Sequence, residues 1–267
     1  MKTFMKIKNP TSVWILFAII SVVTLQISAN NTARNQPNMR YLLNSQERMI
    51  YSVHYGFLNL GEVILEQVRD TLYNGKPAFY SLTVIRSNPS IPFVGRKERH
   101  FHSIFTHNDT IAYGLNFWTD SIHDNEYLDS RYIFDYDAGK VFIYEFEVPT
   151  DTLDLDGPAD SGPTLHLITR LYAGMNAKKN YPIYISNEKG NVEMQYTSRI
   201  DRIASEAFGG TVDAYYSHGN ANVKGPFGFS GAYKAWHKTD SSRIPLEAHV
   251  RVWVGNVRVK LKSHQKF

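Results

Sequence analysis

The stretch Ala248-His-Val-Arg-Val-Trp-Val-Gly-Asn-Val-Arg-Val-Lys-Leu-Lys262 decides the fold class. Val250, Val252 and Val254 alternate with His249, Arg251 and Trp253; after Gly255-Asn256, Val257, Val259 and Leu261 alternate with Arg258, Lys260 and Lys262. Strict alternation is the pattern of a strand with one buried face. A two-residue loop opening on glycine signals a type II′ hairpin turn. Folded at Gly255-Asn256, the stretch sets Val254 opposite Val257, Val252 opposite Val259 and Val250 opposite Leu261. One face is then wholly apolar, and the other is cationic apart from Trp253. This predicts an antiparallel sheet with one side on a core and the other in water.

The rest of the chain reads as more of the same sheet. Tyr51, Val53, Tyr55 and Phe57 alternate within a strand expected over Ile50–Leu65, where Gly56 and Gly61 mark a bulge or a sharp bend. Asn74-Gly75 is a turn. Strands are expected at Phe79–Ile85, Arg99–Thr106, Ile111–Trp118, Tyr127–Phe134, Val141–Glu147, Tyr181–Ser186, Val192–Ile200, Ala207–Tyr216 and Gly231–Trp236. Their spacing, with polar turns between, suggests an antiparallel meander. A helix near 161–173 interrupts it. Asp160-Ser161 would cap that helix, Pro163 fits its first turn, Leu165, Ile168, Leu171 and Tyr172 recur at helical spacing, and Gly174 ends it. The expected fold is all-β, a strongly curved sheet forming a half-open barrel with one short packing helix.

At the start, Lys2, Lys6 and Lys8 precede an apolar run from Ser12 to Ile27, and Ile27-Ser28-Ala29 offers a small-residue cleavage site. Residues 1–29 therefore read as an export signal, with an uncleaved anchor as the alternative. Residues 30–47 read as a flexible polar tail, and 48–267 as a single β domain. The chain has no cysteine, which excludes disulfides and a lipobox lipoprotein. Without residues 1–29, 26 basic side chains face 25 acidic ones. Near-neutral balance argues against a nucleic-acid partner.

Residue patterns that carry chemistry are mostly missing: no H-E-x-x-H, no phosphate-binding loop and no dinucleotide fingerprint is present. Gly228-Phe-Ser-Gly231 has the wrong spacing and the wrong following element for a nucleophile elbow. His100 and His102 share a strand face near His107, but no acidic or cysteine ligand accompanies them at useful spacing, so no metal is expected. Asp151, Asp154, Asp156 and Asp160 match no calcium loop and suit a helix entry. No catalytic residue or cofactor is expected. Apolar residues at loop positions are more informative: Phe93, Trp118, Phe227 and Phe229 would line a ligand mouth if they gather in space.

Three stretches together resemble a family: Tyr51-x-Val-x-Tyr-Gly-x-Leu-x-x-Gly-Glu62, then Leu167-x-x-Arg-x-Tyr172 after the Asp160-Ser161 entry, then Trp236-x-x-x-Asp240-x-x-Arg-Ile-Pro245. The chain is similar over about residues 48–264 to the DUF3108 family of exported bacterial β proteins, which has no established activity to carry over. The ending also looks like the last strands of the LolA/LolB lipoprotein-carrier fold, an open barrel lidded by helices around an apolar cavity. This chain offers one helix where that fold uses several. The expectation is an exported, periplasmic or envelope-associated protein that binds a lipid or other hydrophobic ligand in a half-barrel cavity. The alternatives are a scaffold that binds an envelope protein or glycan through exposed aromatics, and a hydrolase of an envelope polymer. Membrane contact is expected only through an uncleaved signal.

Overall fold

Short polar turns cut the chain into strands that pair with their neighbours in sequence. The computed structural model describes residues 36–91, 97–122, 127–225, 229–252 and 255–267; the expected signal at 1–29 lies outside them. In chain order the elements are α1 (Met39–Leu43), β1 (Glu47–Tyr55), β2 (Leu58–Leu65), β3 (Arg69–Tyr73), β4 (Lys76–Ser87), β5 (Glu98–His107), β6 (Ala112–Ile122), β7 (Tyr127–Asp135), β8 (Lys140–Glu145), β9 (Val148–Asp154), α2 (Leu165–Tyr172), β10 (Ala177–Ile185), β11 (Glu188–Ser205), β12 (Gly210–Asn222), β13 (Gly231–Lys238), β14 (Pro245–Val252) and β15 (Gly255–Lys266).

The strands form one antiparallel sheet in the order β10-β11-β12-β13-β14-β15-β1-β2-β4-β5-β6-β7-β8-β9, with β3 paired to β4. The last strand, β15, pairs with the first, β1, from Glu47 opposite Lys266 to His54 opposite Arg258. The sheet stays open between β9 and β10. At the β10 edge Asp160 forms a parallel bridge to Ile183, accepting a hydrogen bond from the Tyr184 N–H at 2.9 Å and donating its own to Pro182 O at 3.2 Å. The half-open barrel expected from the strand meander and its glycine bends is the fold observed.

Three local expectations are corrected. The final hairpin forms, but Val250 pairs with Val257 and Val252 with Gly255; the expected turn at Gly255-Asn256 is therefore not used, because both residues are already paired in β15. Compared with the expected pairing, each residue meets a partner four positions earlier. An even slip leaves every side chain on its own face, so Val257 and Leu261 are buried as predicted.

The run Ile50–Leu65 is a hairpin and not one strand. Gly56, at φ +59°, turns the chain between β1 and β2, and the two strands then pair from Met49 opposite Leu65 to Tyr55 opposite Leu58. Gly61 adopts φ +152° at the bulge in this pairing, and a Cβ there would run into the Arg86 carbonyl oxygen.

The tail expected over 30–47 contains α1. Asn38 caps it by accepting from the Tyr41 N–H at 2.8 Å, and Met39, Leu42 and Leu43 are buried against Leu167, Ile168 and Leu171 of α2. A single helical turn with three apolar residues is too short for periodicity to reveal.

Glycine and asparagine turns behave as their chemistry demands. Asn74-Gly75 has positive φ at both positions, as do Phe146-Glu147 and Ser186-Asn187, the geometry of mirror-image turns matched to strand twist. Residues 37–267 hold together as one compact unit. Buried side chains fall into three clusters. Phe105, Tyr181, Tyr196, Tyr233 and the helices form one. Phe101, Phe117, Tyr132, Phe134, Val141 and Tyr184 form the second. Met49, Tyr51, Trp236, Leu246 and Leu261 form the third. The described interior is thus occupied by the protein's own aromatic side chains.

Candidate functional site

Alternation along β5 sends Phe101, Ser103 and Phe105 inward and leaves Glu98, His100, His102 and Ile104 on the opposite face. Register then decides their company. His100 pairs with Asp120 of β6 and His102 with Trp118, while Tyr80 of β4 pairs with Ile104. Residues opposed in an antiparallel ladder share a face, so these side chains form a half-buried ledge on the side of β4–β6 turned away from Phe101 and Phe117.

Asp120 sits at its centre. Its Oδ2 lies 2.9 Å from His102 Nε2, and its Oδ1 lies 3.0 Å from His100 Nδ1, though not aligned for a hydrogen bond. His100 Nε2 lies 2.9 Å from Glu98 Oε1, and Glu98 Oε2 accepts from Arg86 Nε at 2.6 Å. Tyr80 Oη lies 2.7 Å from His102 Nδ1. The Trp118 ring stacks on His102 with centroids 4.7 Å apart and planes 4° from parallel. Burial pulls the His102 imidazole below the ordinary histidine value, although the charge and hydrogen bond of Asp120 oppose this. For Glu98, the hydrogen bond from Arg86 holds the carboxyl below its usual range against burial. Among the described residues, His100, His102 and Asp120 are the group whose ligand atoms converge, all within 4.8 Å of one another.

Of the aromatic residues expected at a mouth, Phe93 and Phe227 lie outside the described residues. Trp118 stands on the outer ledge. Phe229 packs inward, its ring 6.1 Å from that of Tyr233, against the cluster that holds Phe105 and Tyr196. Trp118 and Phe229 therefore occupy opposite sides of the sheet. His107 lies beside Phe79, with ring centroids 5.5 Å apart, away from His100 and His102. The aspartates near α2 disperse: Asp154 meets Lys140 at 2.6 Å, Asp156 pairs with Lys189, and Asp160 is buried, accepting from the Thr164 N–H and hydroxyl at 2.9 and 2.7 Å. Sequence reasoning missed Asp120, which is eighteen residues from His102 and reaches it only by strand pairing.

Residues of the three stretches that carry the family resemblance gather elsewhere, beneath α2. Arg170, 1% exposed, donates from Nε to Ser242 O at 2.7 Å and from Nη2 to both Glu47 oxygens at 3.2 Å. His264 Nε2 lies 3.3 Å from Glu47. Arg243 donates to Thr239 O and lies over the Tyr215 ring at 4.5 Å. Asp240 accepts from the Ser242 hydroxyl and N–H, at 2.5 and 3.0 Å, and Tyr51 donates to Pro245 O at 3.0 Å. Burial would raise the Glu47 carboxyl, but His264 and Arg170 outweigh it and hold it down to about 2. A small recess lies beside this network, lined among others by Leu43, Glu66, Val68 and His166. These contacts seat α2 on the sheet and so account for the motif residues structurally.

Large apolar side chains are exposed at several places among the described residues, including Leu72, Phe146 and Val148, and most of all at Phe57. Tyr55-Gly-Phe-Leu58 forms the tip of the β1–β2 hairpin, with Phe57 94% exposed and Tyr55 and Leu58 over 40% exposed. The Tyr55 ring lies 3.1 Å from where a Cβ on Gly255 would stand, so the tip is beside the start of β15. Arg258, opposite His54, and Arg251, opposite Asn256, are exposed there.

A family model described as "Protein of unknown function (DUF3108)" matches residues 50–262. No curated protein matches. Among solved structures, a β-barrel-like protein of domain DUF1849 from Brucella abortus is 12% identical, with 83% of this chain and 97% of that one covered and a TM-score of 0.48. A candidate exported protein with a YmcC-like fold from Bacteroides fragilis is 7% identical over 86% of this chain and 98% of that one, with a TM-score of 0.34. A DUF1329 family protein from Desulfovibrio piger is 8% identical over 90% and 92%, with a TM-score of 0.20. Likenesses this distant carry no functional argument.

Proposed function

We propose, for a chain that belongs to the DUF3108 family, a non-enzymatic role as an exported envelope protein that engages lipid at the rim of its half-open barrel. The observation that carries the reading is the exposed Tyr55-Gly-Phe-Leu58 tip with Arg251 and Arg258 beside it. Exposed aromatic and aliphatic groups flanked by cations suit the interface of an anionic bilayer, where the rings enter the headgroup region and the cations meet phosphate. A lipid held inside the barrel would have to share the interior with the buried Phe105, Tyr196, Phe117 and Tyr132, so the exposed rim is the better place for it. The sequence pattern of residues 1–29, read as an export signal, supports an envelope location.

The test is cosedimentation of a chain beginning at Asn30 with vesicles of phosphatidylcholine containing phosphatidylglycerol, and with phosphatidylcholine alone. Binding is expected only to the anionic vesicles, and it should weaken with salt. Burying one large apolar side chain contributes about 1.5–3 kcal/mol. Phe57→Ser with Leu58→Ser should therefore lower binding by about tenfold or more at unchanged thermal stability. A wild-type chain that stays in the supernatant, or a double variant that binds as well, would overturn the reading.

A further inference from the structure

The outer ledge of β5 and β6 is built as a cation site. We infer that His100 Nδ1, His102 Nε2 and the Asp120 carboxylate together bind a divalent transition metal such as zinc, an inference that stands apart from the lipid-docking tip.

The argument begins with hydrogens. A neutral imidazole carries one N–H and one lone pair. His100 stands between two carboxylates, Glu98 at 2.9 Å from Nε2 and Asp120 at 3.0 Å from Nδ1. If its hydrogen lies on Nε2, toward Glu98, the Nδ1 lone pair faces the Asp120 oxygen, and that oxygen is buried with no hydrogen-bond partner. Something positive belongs between them. His102 differs in that its Nε2 stands in hydrogen-bond geometry to Asp120 Oδ2 at 2.9 Å; with its hydrogen on Nδ1, donated to Tyr80 Oη at 2.7 Å, Nε2 offers its lone pair to a cation.

The donor set fits the ion. Two imidazole nitrogens and a carboxylate are common partners of zinc, at about 2.0–2.2 Å each. Ligand atoms around such an ion stand only slightly farther apart than the nitrogen–oxygen distances here, so small side-chain rotations open the space. Zinc-binding histidines almost always hand their other N–H to a carboxylate, carbonyl or water, which fixes tautomer and ring orientation. Glu98 stands in that position for His100, itself held by Arg86 at 2.6 Å. Tyr80 does so for His102, whose ring is further fixed by the stacked Trp118. The three ligand side chains are half-buried, which leaves an open side for water or a partner's ligand.

The experiment is zinc titration of the tag-free full chain by calorimetry, with cobalt(II) substitution read by visible absorption. One zinc per chain is expected, with intense cobalt bands of tetrahedral type and a change in Trp118 fluorescence. Asp120→Asn and His102→Gln should abolish uptake, and Glu98→Gln should weaken it by about 10–100-fold. Long-range proton–nitrogen NMR of the wild-type chain should show zinc on His100 Nδ1 and His102 Nε2, a readout independent of any variant's folding. Absence of uptake, uptake unchanged in Asp120→Asn, or ring nitrogens that do not shift would overturn the inference.

Discussion

Arg170 shows what a single residue contributes. Its guanidinium is 1% exposed and ties α2 to β1 through Glu47 and to the β13–β14 loop through Ser242. Charges this deep are costly to bury, and a well-hydrogen-bonded pair only offsets that cost. Arg170→Ala is expected to destabilise the fold by about 3–5 kcal/mol, because it strands the Glu47 carboxylate in the interior. Arg170→Met with Glu47→Met should recover most of the loss. Urea unfolding of the two variants decides it. A double variant as weak as the single one would mean that the pair is worth more than its desolvation. The sequence displayed Arg170 within a stretch that carries the family resemblance but could not show its partner, because Glu47 lies in a segment that reads as a polar tail.

At the scale of an element, α2 carries a pH dependence. Burial lowers the His166 imidazole to about 4, against its hydrogen bond to Pro163 O. Burial, with the charges of Arg170 and Arg243, lowers His237 of β13 to about 3. Below their ordinary value of 6.5 these histidines take up protons in the unfolded chain while the folded chain resists. Stability is therefore full above that value and falls as the pH drops toward 4 and then 3. Glu47 acts in the same direction at lower pH: its contribution is present above its ordinary 4.5 and lost toward about 2. The thermal midpoint should drop steadily between pH 7 and pH 4, and His237→Gln should flatten that slope. A midpoint independent of pH over this range, or a slope unaltered by the variant, would show that these groups do not resist protonation. The helix itself was legible, since Leu165, Ile168 and Leu171 repeat at its period; the histidine environment was not, because β13 supplies it from far along the chain.

The whole molecule is an open sheet, and an open sheet must protect its edges. Edge strand β9, Val148–Asp154, is almost wholly exposed and carries Pro149, Asp151 and Asp154. Proline withholds a donor and the charges repel a second edge. Pro149→Val with Asp151→Val should therefore promote self-association, seen as concentration-dependent growth in sedimentation velocity. A monomer unchanged up to high concentration would mean that another device, such as the Asp160 bridge beside β10, protects the edges.

The alternation of Val250–Leu261 by itself determined that this is an antiparallel sheet and which residues face the core, while the glycines within Ile50–Leu65 signalled that the sheet bends. These are local properties: a period of two and a turn residue act over a few neighbours. It left the hairpin's turn ambiguous, since a slip by an even number of residues keeps every face, and the pairing with β1 and β13 chose between registers. Only the tertiary structure decided that the described buried aromatic side chains gather into separate clusters, that Trp118 and Phe229 stand on opposite sides of the sheet, and that Asp120 joins His100 and His102. Each depends on which strands become neighbours. Cross-strand contacts between residues eighteen or more positions apart leave no spacing in the sequence to read.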